Sequence, residues 1–273
     1  MRATVRLSII DMWKEPRPGS KRVSQARLGE DLAVEKVKGR FLWVRSQDAY
    51  HGWVERSAVK EGRARYAGTG RVVAVESLFE PVSADSYQLE TLLVAPMGSI
   101  LEVTGRKDNR TRVRLPDGRA GFMRTEELRP ACDPFPKEDI ESIVERALKL
   151  VGTPYLWGGA SPWGLDCSGF VQLVYKMGGY QLLRDADQQF EGNGRFVPVN
   201  HVRRGDLLFF RGKNSRRVSH VAIHLDRNTM IHASGSRGVV VDSVSTLTEL
   251  LVGVRRIVTP HVRKQAKAHH DGS

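Results

Sequence analysis

The chain has 273 residues, 40% of them hydrophobic and 27% charged, with a formal net charge of +12 and a pI near 10.0. That length suits roughly two domains, or three if some are small, and no apolar run of about 18 residues is present to span a membrane as a helix. Only two cysteines, Cys132 and Cys167, occur, which excludes a disulfide framework.

The basic residues gather in 106–119, in 203–217 and in the tail from Arg255. Such a surface attracts polyanions, with an anionic cell-wall polymer as one candidate partner. Nucleic acid is not expected, because no aromatic residues interleave with these runs as stacking platforms do. The first 20 residues carry Arg2, Arg6, Asp11, Lys14 and Glu15 and no apolar stretch, so no secretory signal is legible. A cytoplasmic location is expected, or a secreted or wall-associated one if the chain is processed.

Residues 1–130 read as short β-strands separated by turn signals. Within them the sequence repeats at a shift of 69 residues. Gly29 falls on Gly98, Leu32 on Leu101, Val34 on Val103, Val44 on Val113, Gly52 on Gly121, Trp53 on Phe122 and Val59 on Leu128. Turn glycines and inward apolar positions match, which is what two copies of one small barrel keep. The pattern G-E-x-L-x-V…W-V…G-W-V resembles the bacterial SH3-like domains found on cell-wall enzymes. The expected units are 1–62 and 63–130, followed by a linker at 131–137 punctuated by Pro130, Pro134 and Pro136. Cys132 lies in that linker and is expected to be a bystander thiol.

A further unit is expected over 138–262, and a basic, disordered tail over 263–273. Ile140, Ile143, Val144, Ala147, Leu148 and Val151 recur at helical spacing, with Glu138 and Asp139 in the first turn and Gly152 as the terminating glycine. A second helix is expected from Cys167 to Met177, ended by Gly178 and Gly179. The remainder reads as strands over 205–210, 219–225, 229–234, 238–244 and 252–257. Helices followed by a run of strands predict an α+β fold on an antiparallel sheet.

Cys167 in DCSGF thus sits at a helix N-terminus, where unpaired N–H groups and the helix dipole favour the thiolate. Asp166 beside it opposes that. A base is needed, and eight histidines are available: His51, His201, His220, His224, His232, His261, His269 and His270. Only SHVAIHL and MIHAS place histidines on apolar strands. His220, Ala222 and His224 share one face of the first. If Asp226 faces Asn228 across a one-residue tip at Arg227, Ala222 faces His232 and His220 faces Ser234. His220 and His232 are then diagonal neighbours, whereas a slip of one residue would turn His232 away. Cys167, His220 as base and His232 as its orienting partner make a thiol triad. A catalytic zinc held by one Cys and two His is the rival reading, against which stands the lack of a close-spaced ligand pair such as CxxC or HExxH. Neither metal nor cofactor is expected.

Together GTPYLWGGASPWGLDCSGFVQLVY, RRGDLLFF, SHVAIHL and MIHAS resemble the NlpC-type cell-wall peptidases, which are papain-like cysteine enzymes. The resemblance covers about 138–257, and the two SH3-like copies add to it. It implies hydrolysis of peptides of bacterial peptidoglycan, at the γ-D-glutamyl bond to diaminopimelate or lysine. By the same resemblance Cys167 is the nucleophile, His220 the base and His232 the third member. Tyr155 would line the site and donate to the oxyanion beside the Cys167 N–H. Asp166 and Ser168 would bind polar groups of the substrate, with the Asp166 carboxylate turned from the sulfur. Arg184 and Asp185 resemble a pair in relatives that is often followed by serine; here Ala186 removes that hydroxyl. A subgroup with paired SH3-like domains acts on peptides with a free N-terminal L-alanine, and this chain is similar to it. A buried ammonium needs anionic partners, for which Asp185 and Glu15 are the candidates, with Tyr50 capping the pocket. Rival readings are an amidase or acyltransferase on the same scaffold, and a non-catalytic wall-binding protein.

Overall fold

The 69-residue repeat is a repeat of topology. In the computed structural model, which describes residues 1–62, 70–73, 77–81, 93–130 and 137–257 (70–81 by backbone alone), each copy forms a seven-stranded antiparallel sheet. The first comprises β1 (Arg2–Val5), β2 (Ile9–Trp13), β3 (Arg22–Arg27), β4 (Asp31–Lys38), β5 (Phe41–Arg45), β6 (His51–Glu55) and β7 (Val59–Glu61). Its strand order is β3-β2-β6-β5-β4-β1-β7. The second comprises β8 (Gly70–Val73), β9 (Ser77–Pro81), β10 (Leu93–Ala95), β11 (Ile100–Lys107), β12 (Arg110–Arg114), β13 (Ala120–Arg124) and β14 (Leu128–Pro130), in the order β10-β9-β13-β12-β11-β8-β14. The two orders coincide strand for strand. Val34 pairs with Val44 and Val103 with Val113, and each long strand bulges directly afterwards. Gly29 and Gly98 both hold φ in the left-handed region, at 79° and 88°, which explains why glycine recurs there. Cys132, Pro134, Pro136, His261, His269, His270 and the tail lie outside the described residues.

The third unit opens with α1 (Ile140–Leu148), capped by Asp139, whose carboxylate accepts from the Ser142 N–H at 2.9 Å. This helix stops earlier than its apolar spacing predicts. Val151 is exposed, and Gly152 donates to Val239 O at 2.9 Å instead of terminating the helix. A two-stranded ribbon, β15 (Ala160–Ser161) and β16 (Gly164–Leu165), leads into α2 (Cys167–Met177), which has the predicted limits and is buried along nearly its whole length. Then come α3 (Ala186–Gly192), β17 (Arg195–Val197), β18 (Leu207–Arg211), β19 (Val218–His224), β20 (Thr229–Ser234), β21 (Gly238–Ser243) and β22 (Leu251–Arg256). The six strands form one antiparallel sheet, β17-β22-β18-β19-β20-β21. One face packs on α1 and α2 through Leu207, Phe209, Val221, Ile223 and Ile231. The hairpin register is the one the histidines require: Ile223 pairs with Ile231 and His224 with Met230. Arg227 sits at the tip with φ of 41°.

The first sheet is joined to the third unit by polar contacts. Arg27 Nη1 donates to Ala160 O (2.7 Å), Gln172 Nε2 to Asp48 Oδ2 (2.7 Å) and Arg22 Nη1 to Trp157 O (3.2 Å). At the centre, buried Glu30 accepts from Arg27 Nη2 (2.7 Å) and Lys176 Nζ (2.6 Å). Burial alone would raise the Glu30 pKa, but the two cations outweigh it and hold the group at about 2. A carboxylate depressed in the folded state stabilises above its unfolded pKa near 4.5, and that contribution is lost as pH falls toward 2. Glu30→Gln leaves two buried cations without their anion and is expected to cost about 3 kcal/mol, read as a lower denaturation midpoint at pH 7. The deficit should shrink as the pH is lowered through this window. An equal deficit at pH 7 and pH 3 would refute the account.

Candidate active site

The nucleophile is held by a knot of buried polar contacts. Asp166 is the N-cap of α2, with Oδ1 accepting from the Gly169 N–H at 2.7 Å and Oδ2 from the Gly158 N–H at 2.9 Å. Arg184, 1% exposed, binds the same carboxylate from both terminal nitrogens, at 3.0 and 2.7 Å, and reaches Ser24 Oγ of β3 at 3.0 Å. Glycines let this knot close. A Cβ on Gly169 would stand 2.1 Å from Gly159 O, and one on Gly159 would stand 2.4 Å from Gly164 O. The helix therefore begins hard against the preceding turn, with Cys167 as its first residue.

The same knot takes in Ser168. Ser168 Oγ donates to Asp166 Oδ1 at 3.2 Å and accepts from Arg184 Nη1 at 3.0 Å. The polar atoms of Asp166 and Ser168 thus hold the nucleophile in place, and both residues also line the cavity at Cys167. The thiol is not poised as a thiolate. Burial, then the Asp166 charge, push Cys167 up to about 12, against the Val221 and Ser168 N–H groups and Arg184, which favour the anion. The helix end is outweighed because Cys167 is buried, with 7% of its surface exposed.

Across the cleft, Cys167 Sγ lies 3.9 Å from Ser219 O on β19, next to His220. Burial, then His232, push the His220 imidazole down to about 3, so the ring is neutral at rest. His220 Nε2 is 2.7 Å from His232 Nδ1, as the register predicts. His232 Nε2 in turn lies 3.0 Å from Asp242 Oδ2. Asp242 was not anticipated: a lone acid in GVVVDSV carries no local signal, and only the pairing of β20 with β21 brings it under His232. A neutral thiol can pass its proton to a neutral imidazole as it attacks a carbonyl. Among the described residues, no group of three or more His, Cys, Asp or Glu has the geometry to hold a metal ion.

A cavity of about 430 Å³ opens onto the sulfur. The third unit contributes Tyr155, Trp157, Asp166, Cys167, Ser168, Asp185 and Asp187, and loops between strands of the first sheet contribute Lys14, Lys21 and Tyr50. Tyr50 Oη donates to Asp185 Oδ2 at 2.9 Å across this boundary. Tyr155 and Tyr50 are both driven well above the ordinary phenol range, first by burial and then by nearby negative charge, so each keeps its proton. Glu15 is not brought to the cavity. It pairs with Arg17 at 2.9 Å, and both side chains are more than half exposed. The cations at the rim, Lys14 and Lys21, escaped notice because single exposed lysines in a basic chain are indistinguishable from solvated ones.

Comparison with known proteins agrees with this geometry. A family model described as NlpC/P60 family matches residues 152–256, and one described as bacterial dipeptidyl-peptidase SH3 domain matches 12–59. A γ-D-glutamyl-L-lysine dipeptidyl-peptidase of Bacillus cereus (strain ATCC 10987 / NRS 248) is 26% identical over 249 residues, covering 82% of this chain and 74% of its own length. The murein DD-endopeptidase MepS/murein LD-carboxypeptidase of Escherichia coli (strain K12) is 33% identical over 144 residues, 50% of this chain and 75% of that protein. The crystal structure of an NlpC/P60 family protein from Bacillus cereus ATCC 10987 superposes with a TM-score of 0.86 at 23% identity, covering 95% of this chain and all of that one. With its papain-like helices-on-sheet fold and its N-terminal SH3 domain, the chain belongs to the NlpC/P60 family of cysteine peptidases.

Proposed function

We propose that this protein hydrolyses the γ-D-glutamyl bond to the diamino acid in small peptidoglycan fragments that carry a free N-terminal L-alanine. The observation that carries the reading is the Tyr50–Asp185 contact, which lies in the wall of the Cys167 cavity and joins the first sheet to the third unit. A carboxylate and a phenol oxygen at a half-closed cavity end suit an ammonium group, and a wall at that point leaves no path for a stem still attached to glycan. The names of relatives, a γ-D-glutamyl-L-lysine dipeptidyl-peptidase and a murein endopeptidase, support the bond and the polymer.

In this reading the Cys167 proton moves to His220 Nδ1 as the sulfur bonds to the γ-carbonyl carbon. The Tyr155 hydroxyl and the Cys167 backbone N–H stabilise the oxyanion. The diamino acid departs with the proton returned by His220. Water then cleaves the thioester, releasing L-Ala-D-Glu and restoring the thiol. Free-amine fragments arise after the wall has been broken down, so the role assigned is fragment turnover and recycling, in the cytoplasm; cell fractionation checks the compartment.

The direct test is L-Ala-γ-D-Glu-diamino acid peptide against its N-acetylated form, with products identified by mass. Acetylation is expected to lower kcat/KM by about 100-fold, and equal rates would overturn the amine assignment. Cleavage at any other bond would overturn the reaction. Tyr50→Phe and Asp185→Asn are each expected to lower kcat/KM for the free amine by about 10- to 100-fold, the size of a lost hydrogen bond to a charge. Glu15→Gln is expected to leave it unchanged.

A further inference from the structure

We infer that Asp242 is a positioning residue for the reaction, setting the proton arrangement of both histidines so that His220 presents a lone pair to the thiol. The inference rests on the Cys167–His220 hydrolysis proposed above. Asp242 is the penultimate residue of β21, where Met230 is its paired neighbour on β20 and His232 lies one diagonal away on the same face. Its carboxylate reaches His232 Nε2 at 3.0 Å with Oδ2 and accepts from Arg237 with both oxygens, at 3.1 Å from Nη1 to Oδ1 and more closely from Nη2 to Oδ2.

The hydrogen-bonding capacity of each group leaves one consistent arrangement. A carboxylate only accepts, so His232 Nε2 must carry a hydrogen. In a neutral ring the other nitrogen, His232 Nδ1, is then an acceptor. It faces His220 Nε2 at 2.7 Å, which must donate. His220 Nδ1 is left with the lone pair, and that is the ring atom available to take the proton of Cys167. The reverse arrangement needs hydrogens on His232 Nδ1 and His220 Nδ1. It would set the bare His232 Nε2 against the Asp242 carboxylate and leave His220 without a basic atom toward the sulfur.

Arg237 keeps the selector charged. Its hydrogen bonds are the largest of the influences that hold Asp242 below the usual carboxylate range. As His220 gains the thiol proton, the same carboxylate, relayed through His232, stabilises the developing imidazolium. Asp242 touches neither substrate nor sulfur and acts through two rings.

The test combines kinetics with ring-nitrogen NMR, the two histidines being assigned through His220→Gln and His232→Gln. In the wild-type protein both rings are expected as the Nε2–H form. Asp242→Ala is expected to lower kcat by about 30- to 100-fold with KM within twofold, and to move both rings toward the Nδ1–H form. Asp242→Asn retains an acceptor oxygen without the charge; it is expected to keep the Nε2–H forms and to lose about tenfold. Should Asp242→Ala fold poorly, the near-isosteric Asn variant and the wild-type spectra still decide. A wild-type His220 protonated at Nδ1 would overturn the inference, as would an Asp242→Ala enzyme within threefold of wild-type kcat. The ring spectra need no substrate, so they separate failure of this inference from failure of the proposed reaction.

Discussion

Replacing Cys167 with alanine is expected to lower kcat by at least about 10⁴-fold while the protein remains folded and binds its peptide. The magnitude follows from the role: without the sulfur no covalent intermediate forms, and removing the nucleophile costs as much as dismantling the whole catalytic unit. Binding survives because the cavity wall belongs to other residues, among them Tyr50, Tyr155, Trp157 and Asp185. Folding survives because Asp166 and Arg184, not the thiol, fasten the start of α2. Steady-state kinetics and calorimetric titration with the same peptide check both halves. Residual turnover above about 1% of wild type would remove Cys167 from the mechanism. Loss of binding together with turnover would mean that the substitution had deformed the cavity.

Arg184→Met is expected to be the most destabilising single change at the site, costing about 3–5 kcal/mol. Methionine fills a similar volume, but it strands the Asp166 carboxylate, 9% exposed, without the two-point partner that offsets its burial. It also releases Ser168 Oγ and the Ser24 contact to the first sheet. Because Asp166 caps α2, relaxation of the carboxylate shifts the first turn, and with it the sulfur, so kcat should fall as well. Adding Asp166→Asn removes the stranded charge yet keeps a side chain able to cap. The double variant is therefore expected to recover at least half of the lost stability. Chemical denaturation of the two single variants and the double variant measures the coupling. A cost below about 1 kcal/mol for Arg184→Met would show that water, not Arg184, solvates Asp166.

Much of the scaffold was legible because its signals are local or strictly periodic. The limits of α2 follow from the apolar run after Cys167 and from Gly178 and Gly179 after Met177. The 69-residue repeat survives as matching turn glycines and inward valines, since those positions tolerate little else. The hairpin register was accessible because a side-chain period of two leaves one registration that puts both histidines on one face. Helix α3 was missed: seven residues, ADQQFEG, give no apolar stripe, and its one local signal is the capping box of Asp185 and Gln188. The end of α1 was overrun because Val151 continues the spacing without continuing the helix.

The sequence by itself determined the kinds of chemistry present: one cysteine at a helix N-terminus, two histidines a hairpin apart, and two copies of a small β-unit ahead of them. Those conclusions rest on neighbours in the chain, which a pattern can read. Only the tertiary structure decided which groups meet. It turned Glu15 out to Arg17, set Tyr50 on Asp185, bound Asp166 and Ser168 to Arg184 and placed Asp242 under His232. It also decided the resting state of Cys167, because a helix dipole is a property of the local chain, whereas burial depends on everything packed around the sulfur.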